Sequence, residues 1–101
     1  MRVLVFFDLP VITEKDRREY RRFRQLLIKS GFMMVQESVY CKLVQNGSVA
    51  ETVAETLRRN KPSQGLVQLL KITEKQYTKM EFILGSGNSN ILDSDERLVI
   101  L

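Results

Sequence analysis

An α+β fold class, with helices packed on one face of an antiparallel sheet, is predicted by three observations. The chain opens on an unbroken apolar run, Val3 to Phe7, rich in β-branched and aromatic residues. Such a run is best accommodated by a strand in the middle of a sheet with both faces covered. Two segments, Thr13 to Lys29 and Val49 to Arg59, carry apolar residues at helical spacing, and extended sequence separates them. A second strand pattern, Gly65 to Thr73, comes after the second helix. At 101 residues the chain is one domain.

In the first strand, side chains alternate between faces, so Asp8 shares a face with Leu4 and Phe6. Pro10 stops the pairing because it has no N–H to donate. Thr13 is a good N-cap for the first helix, with Asp16 in the third position as an approximate capping box. Tyr20, Phe23, Leu26 and Leu27 face the core, and Gly31 ends the helix.

Phe32 to Val44 is extended, either as two short strands or as one strand bent around a bulge. Asn46-Gly47-Ser48 marks a turn, with Ser48 able to cap the second helix. In that helix Val49, Val53 and Leu57 keep a spacing of four beside Ala50 and Ala54. After the strand Gly65 to Thr73, one short helical turn is expected over Thr73 to Met80 and a further short strand over Glu81 to Leu84.

Gly85 to Asn90 is rich in Gly, Ser and Asn and reads as a flexible connector. Leu98, Val99 and Ile100 then form an apolar terminal strand. Such a strand needs a pairing partner, on a second subunit across a dimer or at the edge of its own sheet. The organisation is thus a domain over 1–85 and a connector with C-terminal strand over 86–101. Strand, helix, extended hairpin, helix and strand make the ferredoxin-like βαββαβ pattern, with an added C-terminal strand. The sheet's open face suits a homodimer.

Composition narrows the chemistry. The chain has no histidine and one cysteine, Cys41. Zinc ligation and a Ser-His triad are disfavoured, an intrachain disulfide is impossible, and a cytoplasmic setting fits best. No secretory leader or membrane span is expected. Any metal would be a hard cation on oxygen ligands. The net charge of +4 favours an anionic partner.

Asp8, at the C-terminal end of its strand, reads either as a turn-capping carboxylate or as a metal ligand and catalytic carboxylate. Arg17, Arg18, Arg21, Arg22 and Arg24 place five arginines within eight residues. Arg17 and Arg21 are four apart, as are Arg18 and Arg22, so each pair shares a helix face; these four form either a solvated face or a track for nucleic-acid phosphate, which the forked guanidinium suits. Glu37 and Ser38 are further polar candidates whose direction the sequence leaves open.

In Val3-Leu4-Val5-Phe6-Phe7-Asp8-Leu9-Pro10, in Asp16-Arg17-Arg18 with Arg21-Arg22-Phe23 and Leu27, in Gly31-Phe32 with Val35-Gln36-Glu37-Ser38-Val39-Tyr40, and in Gly65-Leu66-Val67-Gln68-Leu69-Leu70-Lys71-Ile72, the chain resembles the small CRISPR-associated adaptation protein family, partner of the CRISPR integrase. The resemblance covers roughly residues 1–85. It implies a ferredoxin-like homodimer in which Asp8 lies near the dimer axis as a Mg2+ ligand, with Mn2+ as the alternative ion. It also implies a metal-dependent endonuclease acting on single-stranded RNA or double-stranded DNA. A further implied role is the scaffold between two integrase dimers, holding spacer-precursor DNA during spacer acquisition. A DNA-binding scaffold without catalysis, and a small regulatory ligand-binding domain, are the competing readings.

Overall fold

The computed structural model describes residues 1–86. The Val3–Phe7 run lies within strand β1 (Arg2–Asp8), followed by α1 (Glu14–Lys29), β2 (Met33–Gln36), β3 (Val39–Leu43), α2 (Gly47–Arg59), β4 (Leu66–Ile72) and the short α3 (Glu74–Thr78). The first six are the expected βαββαβ order. The strands form one sheet in the order β2-β3-β1-β4, every neighbouring pair antiparallel. The apolar first strand therefore takes a central position, hydrogen-bonded on both edges.

Helix α1 begins where local chemistry favours it. Thr13 caps it, its hydroxyl accepting from the Asp16 N–H at 3.0 Å while the Asp16 carboxylate accepts from the Thr13 N–H at 3.1 Å. It ends with Gly31 at φ +92°. Phe32 N–H donates to Leu27 O and Gly31 N–H to Ile28 O, each at 3.0 Å. That is a Schellman closure, which glycine accommodates without steric cost. Phe32 is thereby delivered into the core.

Phe32–Val44 yields two strands and also a bulge, with the β2–β3 register shifting between Met34 and Gln36. Asn46, not Ser48, caps α2, its side chain accepting from Val49 N–H at 3.0 Å. Asn and Ser are comparable capping residues, and here the helix starts earlier in the turn.

Val3, Val5 and Phe7 of β1 face the helices and are buried with Phe23, Leu27, Tyr40, Ala50 and Leu57. Phe7 is the hub, its ring 5.5 Å from Phe23, 5.6 Å from Tyr40 and 5.9 Å from Tyr20. The opposite face is largely open. Leu4 is buried between its cross-strand neighbours Cys41 and Leu70, yet Leu70 itself is exposed, as are Met33, Leu43 and Leu66. As expected, α1 and α2 cover one face of the sheet; on the other, α3 reaches only the Arg2 end, and Met33, Leu43, Leu66 and Leu70 leave an apolar surface exposed among the described residues.

A correction concerns Glu81–Leu84, which is not a strand. Phe82, Ile83 and Leu84 are exposed and unpaired with the sheet among the described residues. Apolar character alone does not make a strand; a hydrogen-bonding edge must be within reach. The expected strand at Leu98, Val99 and Ile100, and all but the first residue of the 86–101 segment, lie outside the described residues. No helix among the described residues is long and apolar enough to cross a membrane.

Candidate active site

Asp8 is the last residue of β1, paired with Leu66 of β4, and its side chain is exposed. Alternation along the strand places it on the open face with Leu4 and Phe6. It lines a cleft of about 210 Å³ with Phe6, Phe7, Ser38, Val39, Leu66 and Gln68. The Phe7 N–H donates to Ser38 O at 3.1 Å. That bond holds the β2–β3 turn against the end of β1 and brings Ser38 beside Asp8. Glu37, one residue earlier on the same turn, is exposed and does not line this cleft. Of the two polar candidates, the structure brings one to the carboxylate.

The backbone around Asp8 is confined from below. Gly65 adopts φ +102°, and a Cβ there would lie 2.7 Å from Asp8 O and 2.8 Å from Leu9 Cδ2. Only a residue without a side chain allows β4 to begin this close to the end of β1. Leu9 is itself buried in the core. The main chain on either side of Asp8 is therefore anchored, while its carboxylate stays in the cleft.

The four arginines expected to meet phosphate divide into two pairs. Arg17 donates through Nη1 to Val11 O at 3.2 Å and Ile12 O at 2.9 Å, and through Nη2 to Glu14 at 2.9 Å. Arg22 donates to Asn60 O at 3.1 Å and Lys61 O at 3.4 Å, with Glu19 at 3.4 Å. Arg18 and Arg21 are exposed and make no hydrogen bond or ion pair within the described residues. Arg24 donates to the Tyr40 hydroxyl at 2.9 Å.

At the other end of the open face lies a cluster that sequence reasoning missed. Arg2 donates to both Glu74 oxygens, at 2.9 and 3.0 Å, and its guanidinium carbon sits 4.2 Å from the centre of the Tyr77 ring. These contacts dock α3 onto the sheet. The hydrogen bond to Arg2 holds the Glu74 carboxyl below the usual range, and that same bond raises the Arg2 guanidinium. The available signal was parity: Arg2 falls on the same strand face as Leu4, Phe6 and Asp8.

Asp8 offers a hard oxygen donor beside a cleft, which is the right chemistry for Mg2+ or Mn2+. No group of three or more His, Cys, Asp or Glu side chains able to hold a metal occurs among the described residues. Mg2+ is commonly held by one or two carboxylates with water and phosphate oxygens completing the shell. One Asp8 fits such a site in part. A second copy meeting the open sheet face would supply a second carboxylate.

Comparison with known proteins places the chain in a family and matches its fold. Residues 1–80 match the model of the family described as CRISPR associated protein Cas2. The chain is 54% identical over 101 residues to the CRISPR-associated endoribonuclease Cas2 of Treponema denticola, covering the whole of both chains. It is 46% identical over the same length to the protein of that description from Ligilactobacillus salivarius, again with full coverage of both. A crystal structure of Streptococcus pyogenes Cas2 at pH 6.5 superposes with a TM-score of 0.61 at 25% identity, over 84% of this chain and 100% of that one.

Proposed function

This chain belongs to the CRISPR-associated Cas2 family, and on that premise we propose that it acts in CRISPR adaptation as a homodimeric, metal-dependent endonuclease that also binds spacer DNA in the integrase complex. The observation that carries the reading is the placement of Asp8, at the end of a central strand, in a cleft on an uncovered apolar sheet face. Endoribonuclease activity is in the names of relatives identical at 54% and 46% over their full length. A cytoplasmic setting accords with one free, buried cysteine.

The roles derive from chemistry and position. Two copies packed through their open faces would cover Met33, Leu43, Leu66 and Leu70 and draw their Asp8 carboxylates together. Those carboxylates would hold Mg2+, with Mn2+ as the alternative, and the bound ion supplies positive charge against phosphoryl oxygens. Ser38 lies where its hydroxyl can donate to a phosphate oxygen in the cleft. Arg18 and Arg21, without partners among the described residues, are available for charge-assisted bonds to backbone phosphates. Bonds of that kind carry no base information, which suits a protein that handles arbitrary sequence.

The scaffold role without catalysis is the second reading. The small donor set favours it: one carboxylate per chain at the cleft and no histidine to act as general base. The test measures cleavage of single-stranded RNA and duplex DNA by wild type and Asp8→Asn, with and without Mg2+, alongside spacer acquisition. The nuclease reading expects Mg2+-dependent cleavage that falls to background in Asp8→Asn. Cleavage that persists in the variant overturns it. No cleavage by wild type, with acquisition intact in both proteins, selects the scaffold.

A further inference from the structure

Arg17 sits in the basic run of α1, yet its side chain points back across the loop that leaves Asp8. Three of its bonds are already made: to the carbonyl oxygens of Val11 and Ile12 and to the Glu14 carboxylate. The loop between Asp8 and α1 has few other ties. Leu9 is buried, Pro10 has no N–H, and Val11 and Ile12 project their side chains into solvent, 52% and 83% exposed. Without Arg17 the carbonyls of Val11 and Ile12 would be left to water.

The same residue also begins the helix, since the Arg17 N–H donates to Thr13 O at 3.1 Å. Its backbone closes the first turn while its fork closes the preceding loop. The planar guanidinium suits this task because it presents several donors in fixed geometry. Gly65 confines the Asp8–Leu9 backbone from the β4 side, and Arg17 confines the loop from the helix side. Arg18 and Arg21, close by on the same helix, have no such engagement among the described residues.

We infer that Arg17 is a positioning residue for Asp8, holding the strand-to-helix loop so that the carboxylate keeps one orientation, and that it does not bind phosphate. The arginines of α1 thus divide their work: Arg17 orders the site, and Arg18 and Arg21 meet the nucleic acid. Three of the five Arg17 donors are committed to two carbonyl oxygens and a carboxylate, which fixes the guanidinium over the loop, whereas Arg18 and Arg21 have none committed among the described residues. This inference rests on the reading of Asp8 as the carboxylate that holds the cation.

The experiment uses the full chain as wild type, Arg17→Ala, Arg17→Lys, Arg18→Ala and Asp8→Asn. Three quantities are read: hydrogen exchange over residues 9–13, Mn2+ affinity by electron paramagnetic resonance, and the salt dependence of duplex binding. Arg17→Lys keeps the charge and removes the fork, so it guards against a variant that fails to fold. Both Arg17 variants are expected to raise exchange over 9–13 and to weaken Mn2+ binding about tenfold or more, the range found when a partner that orients a metal ligand is removed. Their salt slope is expected to stay at the wild-type value, while Arg18→Ala lowers it by about one for each phosphate no longer neutralised.

Arg17→Ala with a lowered salt slope and unchanged exchange and Mn2+ affinity overturns the inference. Arg17→Lys indistinguishable from wild type in exchange and Mn2+ affinity overturns it equally. If Asp8→Asn binds Mn2+ as tightly as wild type, the cation reading of Asp8 is at fault; loop exchange and salt slope still decide whether Arg17 orders the loop or meets phosphate.

Discussion

Replacing Gly65 by alanine tests whether the end of β1 is held as tightly as the geometry says. Gly65 adopts φ +102°, where an L-residue is strained, and its added Cβ would lie 2.7 Å from Asp8 O, 2.8 Å from Leu9 Cδ2 and 3.1 Å from Leu9 Cα. Asp8 O belongs to the last paired residue of β1 and Leu9 Cα to the buried residue that follows it, so they yield only if the chain there moves away from the start of β4. Holding a non-glycine residue in such a region costs about 1–3 kcal/mol. With about 2 kcal/mol as the working figure, and about 4–8 °C per kcal/mol for a domain of this size, the thermal midpoint falls by roughly 8–16 °C. Circular dichroism melts measure it. Gly47→Ala is the matched control, because nothing lies within 4 Å of a Cβ there and its φ is ordinary. That substitution is expected to raise the midpoint by a few degrees, through about 0.4–1 kcal/mol of reduced unfolded-state entropy. A Gly65→Ala midpoint equal to wild type would refute the reasoning, because β1 and β4 would then part at their ends without cost.

Three other outcomes concern the α2 cap, the surface carboxylates and the open face. Asn46→Ala removes the α2 cap and is expected to cost about 1 kcal/mol, measured by urea unfolding; an unchanged midpoint would mean another group caps Val49 N–H. Glu51 is held at about 2, first by its hydrogen bond to Arg58 and then by Lys71, and Glu74 is held low by Arg2. Both folded values lie below the ordinary 4.5, so their contribution is present above that pH and is lost as pH falls below it, for Glu51 toward about 2. Stability should therefore decline over this window, and Glu51→Gln should make the decline shallower; both groups are exposed, so the change is small. Leu70→Glu places a charge on the open sheet face opposite Leu4. Sedimentation is expected to show a dimer for wild type and a monomer for the variant, and a dimer in both would move the interface elsewhere.

Much of the fold was legible because its signals are local. The Thr13–Asp16 capping box spans three residues, so a sequence pattern contains both halves of it. Val3–Phe7 announced a central strand by composition, and Gly31 announced a helix end. Where two residues compete for one role, composition could not choose: Asn46 and Ser48 are both capping residues, and the helix starts at the earlier one. Glu81–Leu84 has the residues of a strand but no sheet edge among the described residues, and an edge is not a property of the segment. The site divided along the same line. The place of Asp8 on the open face was legible from alternation along one strand. Helical spacing put Arg17 with Arg21 and Arg18 with Arg22, yet Arg17 and Arg22 turn to loop carbonyls at residues 11–12 and 60–61. The Arg22 bonds, to residues 38 and 39 positions distant in the chain, exist only once α1 and α2 are brought together by the fold. Arg2 and Glu74, 72 residues apart, meet for the same reason.

The proposed site shares one cation between the Asp8 carboxylates of two chains. Mn2+ binding stoichiometry, measured by electron paramagnetic resonance on wild type, Asp8→Asn and Leu70→Glu, tests this most directly. One ion per two wild-type chains is expected, none in Asp8→Asn, and sharply weakened binding in Leu70→Glu because the second carboxylate is absent. One ion per chain, or binding that survives Asp8→Asn, would contradict it.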